Sequence, residues 1–105
     1  MSDISSQSRL LLSLQRALLG EVHPELRQAS IEADQTSQTV RLRFEYDGIP
    51  SDGAKESCSC AATEVIADFP APWRLDEQHL SALAPSPLEP LAHVAYRRAE
   101  PQHAA

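Results

Sequence analysis

The chain has 105 residues, room for one hydrophobic core, and its 42% hydrophobic and 23% charged residues describe a globular composition, neither disordered nor fibrous. Fifteen acids against nine bases give a net charge of −6, which disfavours DNA, RNA and anionic membranes as partners. No stretch approaches the roughly 20 apolar residues of a spanning helix, and no signal-peptide pattern is present, so a cytoplasmic protein is expected.

Residues 6–19 place Leu10, Leu11, Leu14, Ala17 and Leu18 at helical spacing, with Gly20 as a stop. After His23-Pro24 the period changes to two, and Ala29, Ile31 and Ala33 predict a strand. A polar turn at 35–37 leads to a second strand, in which Val40, Leu42, Phe44 and Tyr46 point one way and Arg41, Arg43 and Glu45 the other. These two strands read as an antiparallel hairpin whose arginines face solvent. Asp47-Gly48-Ile49-Pro50 breaks the sheet, and Ser51 or Asp52 can cap a second helix. Its apolar stripe is Ala54, Cys58, Ala61, Ala62, Val65, Ile66 and Phe69, and Pro70 ends it. Residues 73–83 and 91–97 each supply a weaker strand, separated by a linker with Pro85, Pro87 and Pro90. The order helix, strand, strand, helix, strand, strand predicts an α+β fold, an antiparallel sheet with both helices packed on one face. It is expected to form a single domain over 1–98, with a frayed tail over 99–105.

The charge is unevenly placed. Residues 45–77 hold eight acids and two bases, and the remaining seven acids and seven bases cancel, so the middle third carries the whole net charge. On the second helix Asp52, Glu56, Cys60, Glu64 and Asp68 are four residues apart and line one ridge. Asp68 sits at the helix C-terminus, where the dipole disfavours an anion. The ridge serves either as a docking face for a basic protein or as a solvated face that keeps the chain soluble.

The residues give little support to catalysis or metal binding. The four histidines, His23, His79, His93 and His103, are scattered, with no H-x-x-x-H or H-E-x-x-H spacing. Cys58-Ser59-Cys60 lacks the second ligand pair of a zinc site, and two cysteines so close cannot staple a secreted fold. Helical geometry turns Cys58 inward and Cys60 outward. Trp73, after the Pro70-Ala71-Pro72 bend, reads as a lid on the core rather than an interface anchor. No cofactor or metal is expected.

The block Phe44-Glu45-Tyr46-Asp47-Gly48, followed by Ala62-Thr63-Glu64-Val65-Ile66-Ala67-Asp68-Phe69-Pro70, resembles small bacterial immunity proteins. These accompany polymorphic toxins of the contact-dependent growth inhibition type. Arg16-Ala17-Leu18-Leu19-Gly20-Glu21-Val22 adds to the resemblance, which covers roughly residues 10–73 and leaves the segment after Pro85 unmatched. The resemblance implies a non-enzymatic monomer that forms a 1:1 heterodimer with a cognate toxin C-terminal domain, often a basic nuclease. It carries over no binding residue by position. Charge and helical geometry alone select the toxin-binding candidates Glu45, Asp47, Asp52, Glu56, Glu64, Asp68 and Asp76. The competing readings are a small hydrolase pairing a carboxylate with His79 or His93, and a homo-oligomeric scaffold that joins its sheet edges.

Overall fold

The computed structural model describes residues 6–101. Six elements follow in the expected order: α1 (Gln7–Ala17), β1 (Leu26–Asp34), β2 (Thr39–Tyr46), α2 (Asp52–Ala67), β3 (Arg74–Ser81) and β4 (His93–Arg97). Ser6 caps α1 by accepting from the Arg9 N–H, and Ser51 caps α2 by accepting from the Ala54 N–H. Gly20 takes a left-handed φ of +80° in the turn that ends the first helical segment, a conformation costly for any residue with a Cβ.

The four strands form one sheet in the order β3-β2-β1-β4, and this sheet is mixed rather than antiparallel throughout. β1 pairs antiparallel with both β2 and β4, whereas β2 and β3 run parallel from Thr39 beside Arg74 to Tyr46 beside Ser81. The cause is α2. A 16-residue helix rises about 24 Å, long enough to carry the chain back along the sheet so that β3 restarts where β2 began. Both helices lie on one face, α1 over β1 and β4, α2 over β2 and β3. Leu10 and Leu14 from α1, Ala61, Ala62 and Val65 from α2, and Ile31, Leu42, Phe44 and Tyr46 from the sheet are buried between them. Trp73 packs against this core beside Phe69, with ring centroids 5.2 Å apart, as a lid would.

β1 contains a bulge. Leu26 opposes Tyr46 and Ala29 opposes Phe44, so Arg27 and Gln28 together face the single residue Glu45. Without that extra residue, strict alternation would send Arg27 into the core and turn Leu26 out. The bulge reverses both placements: Leu26 is buried beneath the helices, and the Arg27 guanidinium reaches segments on other strands' connections.

The face away from the helices is not the solvent face that the alternation of Arg41, Arg43 and Glu45 suggests. β3 and β4 are opposite edges, so their connection must cross the sheet, and residues 82–92 do so over this face. The sheet's polar side chains hold the crossing segment. Glu45 accepts the Glu89 N–H at 2.6 Å, Ser30 accepts the Leu91 N–H at 2.9 Å, and Arg43 donates to the Glu89 carbonyl at 2.6 Å. Arg27, only 3% exposed, donates to the carbonyls of Ala82 and Ser86 and to both carboxylate oxygens of Glu100. Glu100 falls within the stretch expected to fray, yet the Arg27 pair holds its carboxyl down to about 2. Residues 102–105 of that stretch lie outside the described residues.

Candidate functional site

The seven acids singled out by charge do not form one surface. Glu45 is 2% exposed, accepts from the Gln28 side-chain amide at 2.9 Å, and supports the crossing segment from below. Asp47 accepts the Ala84 N–H and an Arg98 guanidinium N–H, each at 2.9 Å, and these donors lower its pKa. Asp76 pairs with Arg41 at 2.7 Å, and Arg41 reaches across to Glu32 as well. Asp68 accepts the Ser13 hydroxyl at 2.6 Å, which ties the end of α2 to α1 and explains an anion at the wrong end of a helix dipole. The other three acids of α2, Asp52, Glu56 and Glu64, are exposed along its outer face, as Asp68 also is, with Cys60 exposed between them and Cys58 buried on the opposite side. None of those three carboxylates has an ion-pair partner among the described residues.

A polar cluster that the sequence pattern missed lies between α2 and β3. Leu75 sets the phase of β3, and the same alternation carries Glu77 and His79 toward the helices. Tyr46 Oη lies 2.7 Å from His79 Nδ1, and His79 Nε2 lies 2.5 Å from Glu77 Oε2, which also accepts the Ser59 hydroxyl. The imidazole stacks on Phe44 and Tyr46, with centroids at 5.4 and 5.8 Å. Burial raises the Tyr46 pKa, so the phenol keeps its proton, and the imidazole bridges it to the Glu77 carboxylate. Burial likewise pushes the Cys58 thiol beside Tyr46 up to about 11.

Serine, glutamate and histidine are the members of a hydrolytic triad, but here they stand in the wrong order. An imidazole must lie between the hydroxyl and the carboxylate to take the hydroxyl proton, and in this cluster the carboxylate lies in the middle. His93 does not join it. It lies on β4, three strand spacings or about 14 Å of sheet away from β3. Among the described residues no group of three or more His, Cys, Asp or Glu is arranged to hold a metal ion. No helix among them is long and apolar enough to cross a membrane.

The geometry therefore offers a cross-linked sheet, an internal polar cluster and an outward acidic helix face. A protein-family model matches residues 7–100, from the start of α1 to the Glu100 that pairs with Arg27, and its description is MafI2 immunity protein. The chain belongs to the MafI2 immunity protein family. This is an immunity family of polymorphic toxin systems, and membership implies a cognate toxin as partner. The match takes in all six elements, including the segment after Pro85 that the earlier resemblance left out. No curated protein matches the chain. Within a MafI2 immunity protein, the hydrogen-bonded Glu45, Asp47, Asp68 and Asp76 hold the fold, and Asp52, Glu56 and Glu64 are presented outward.

Proposed function

We propose that this MafI2 family member is a cytoplasmic, non-enzymatic immunity protein that neutralises the C-terminal domain of its cognate toxin in a one-to-one complex. The toxin domain is a basic nuclease, and the outer face of α2 meets it in place of the nucleic-acid backbone. The observation that carries this reading is the family match over residues 7–100. Asp52, Glu56 and Glu64 support its finer part, because three exposed carboxylates on one helix face attract a basic surface and speed encounter. The wrong order of Ser59, Glu77 and His79 supports inhibition by binding alone.

The experiment is to co-express the chain with the C-terminal domain of the toxin encoded in the neighbouring open reading frame. Co-purification at equal stoichiometry, with growth restored, is expected. A domain that stays toxic and fails to co-purify overturns the reading. Intact RNA and DNA in unprotected cells would remove the nuclease assignment while leaving immunity in place.

A further inference from the structure

One end of the sheet has the features that would grip a partner, an inference that rests on the toxin-binding reading above. Among the described residues seven large apolar side chains are exposed, and four of them, Val22, Ile49, Leu80 and Leu83, belong to this end. The register places them there. Tyr46, which ends β2, opposes Leu26 at the start of β1 and lies beside Ser81 at the end of β3. Ile49 and Leu83 follow those strand ends within three residues, and Val22 precedes β1.

Ile49 is 89% exposed and Leu83 65% exposed, in a fold that buries Phe44 and Tyr46 completely. Their backbones are nonetheless fixed. Asp47 accepts from the Ala84 N–H and from Arg98, and Arg98 also donates to the Pro24 carbonyl at 2.8 Å, so three connections are tied together. Gly48 turns with φ +85°, and a Cβ on it would lie 3.5 Å from Leu83 Cδ1, so Leu83 rests against the turn that projects Ile49. Apolar side chains on a pre-ordered frame lose little freedom when a partner covers them. Glu25, held by the Ser51 hydroxyl and N–H, lies alongside with Asp52 and Glu56 from the first two turns of α2, where three acids outnumber the exposed Lys55 and give the apolar end a net acidic border.

We propose that this end of the sheet is the centre of the toxin interface, with Ile49 and Leu83 as anchors entering an apolar hollow of the toxin domain ringed by Lys and Arg. The acidic border fixes the choice of occupant. A second copy of this chain would set carboxylate against carboxylate around the same patch, whereas a basic partner neutralises them.

The test measures binding of the catalytically inactivated C-terminal domain of the neighbouring toxin to variants of the full chain. Ile49→Asp and Leu83→Asp are each expected to weaken affinity on the order of 30-fold, mainly through faster dissociation, and Leu12→Asp on α1 to leave it unchanged. Ile49→Asp is the decisive variant, since a side chain so exposed is expected to leave the melting temperature unchanged when replaced. Wild-type affinity of Ile49→Asp, while Glu56→Lys with Glu64→Lys weakens binding, overturns the anchors and leaves the toxin-binding reading standing. Absence of binding by the wild type overturns both. A concentration-dependent dimer abolished by Ile49→Asp, with toxin affinity unchanged, would also overturn the proposal and make the patch a self-association surface.

Discussion

Arg27 and Glu100 form a two-bonded ion pair, Nε to Oε2 at 2.7 Å and Nη2 to Oε1 at 2.8 Å, across 73 residues of chain. The remaining guanidinium nitrogen, Nη1, donates to the carbonyls of Ala82 and Ser86. One buried side chain thereby gathers the bulge of β1, the crossing segment and the residues beyond β4. Replacement of Arg27 by Ala is expected to lower unfolding free energy by roughly 2–4 kcal/mol, measured by urea denaturation. Lysine should not rescue it, because an ammonium cannot reproduce the planar fork that meets the carboxylate and both carbonyls.

The same pair sets an acid limit. The Glu100 carboxyl is held at about 2 in the folded protein against an ordinary 4.5, chiefly by Arg27. A depressed carboxylate stabilises the fold fully above the unfolded value and loses that contribution as pH falls through the folded one. The stability gap between wild type and Glu100→Gln should therefore be constant above about pH 5, narrow below about pH 4.5 and close near pH 2. Urea midpoints of the two proteins across that range would show it.

Tyr46→Phe removes the phenol that lies 2.7 Å from His79 Nδ1 while keeping the ring in the core. The expected loss is about 1–2 kcal/mol, the cost of leaving a part-buried nitrogen without its partner. In the wild type, ultraviolet titration should show Tyr46 resisting ionisation until alkali unfolds the protein, because burial raises its pKa.

The two thiols should separate cleanly. Cys60 is exposed, whereas Cys58 is buried with its pKa pushed up to about 11. A thiol reagent at neutral pH should modify one cysteine per native chain and both in denaturant, and mass spectrometry of the native product should place the label on Cys60.

Charge reversal on α2 should separate rate from stability. Glu56→Lys with Glu64→Lys is expected to change stability by less than about 0.5 kcal/mol, since both side chains are exposed. Association with the toxin domain should slow about tenfold at low ionic strength, and the difference should shrink as salt screens it. Stopped-flow kinetics at two salt concentrations would measure both effects.

The alternation from Ala29 to Ala33 and from Val40 to Tyr46, and the apolar stripe from Ala54 to Val65, make the central hairpin and α2 legible, because one face of each packs into the shared apolar core. The parallel pairing of β3 was less visible, since order along the chain does not specify direction until the length of the intervening helix is taken into account. The role of Arg27 is hidden in the sequence because a bulge breaks the strand's period of two. Glu45 and Asp47 looked like surface acids because their neighbours alternate correctly, but their covering comes from Glu89 and from Ala84, 44 and 37 residues away. Local periodicity cannot report such a cover. His79 was legible in principle: counting by twos from Leu75 places it and Glu77 under α2.

The crossing segment also fixes an order of events during translation. Arg27, Gln28 and Glu45 emerge from the ribosome well before Glu100, Arg97 and Glu89, which respectively complete their hydrogen bonding. A nascent chain that ends within β3 has the hairpin and α2 but leaves a charged sheet face bare and a guanidinium without its carboxylate. Folding is therefore sealed from its C-terminal side, and a product truncated before Glu100 would be a substrate for quality-control proteolysis rather than a weaker version of the same protein.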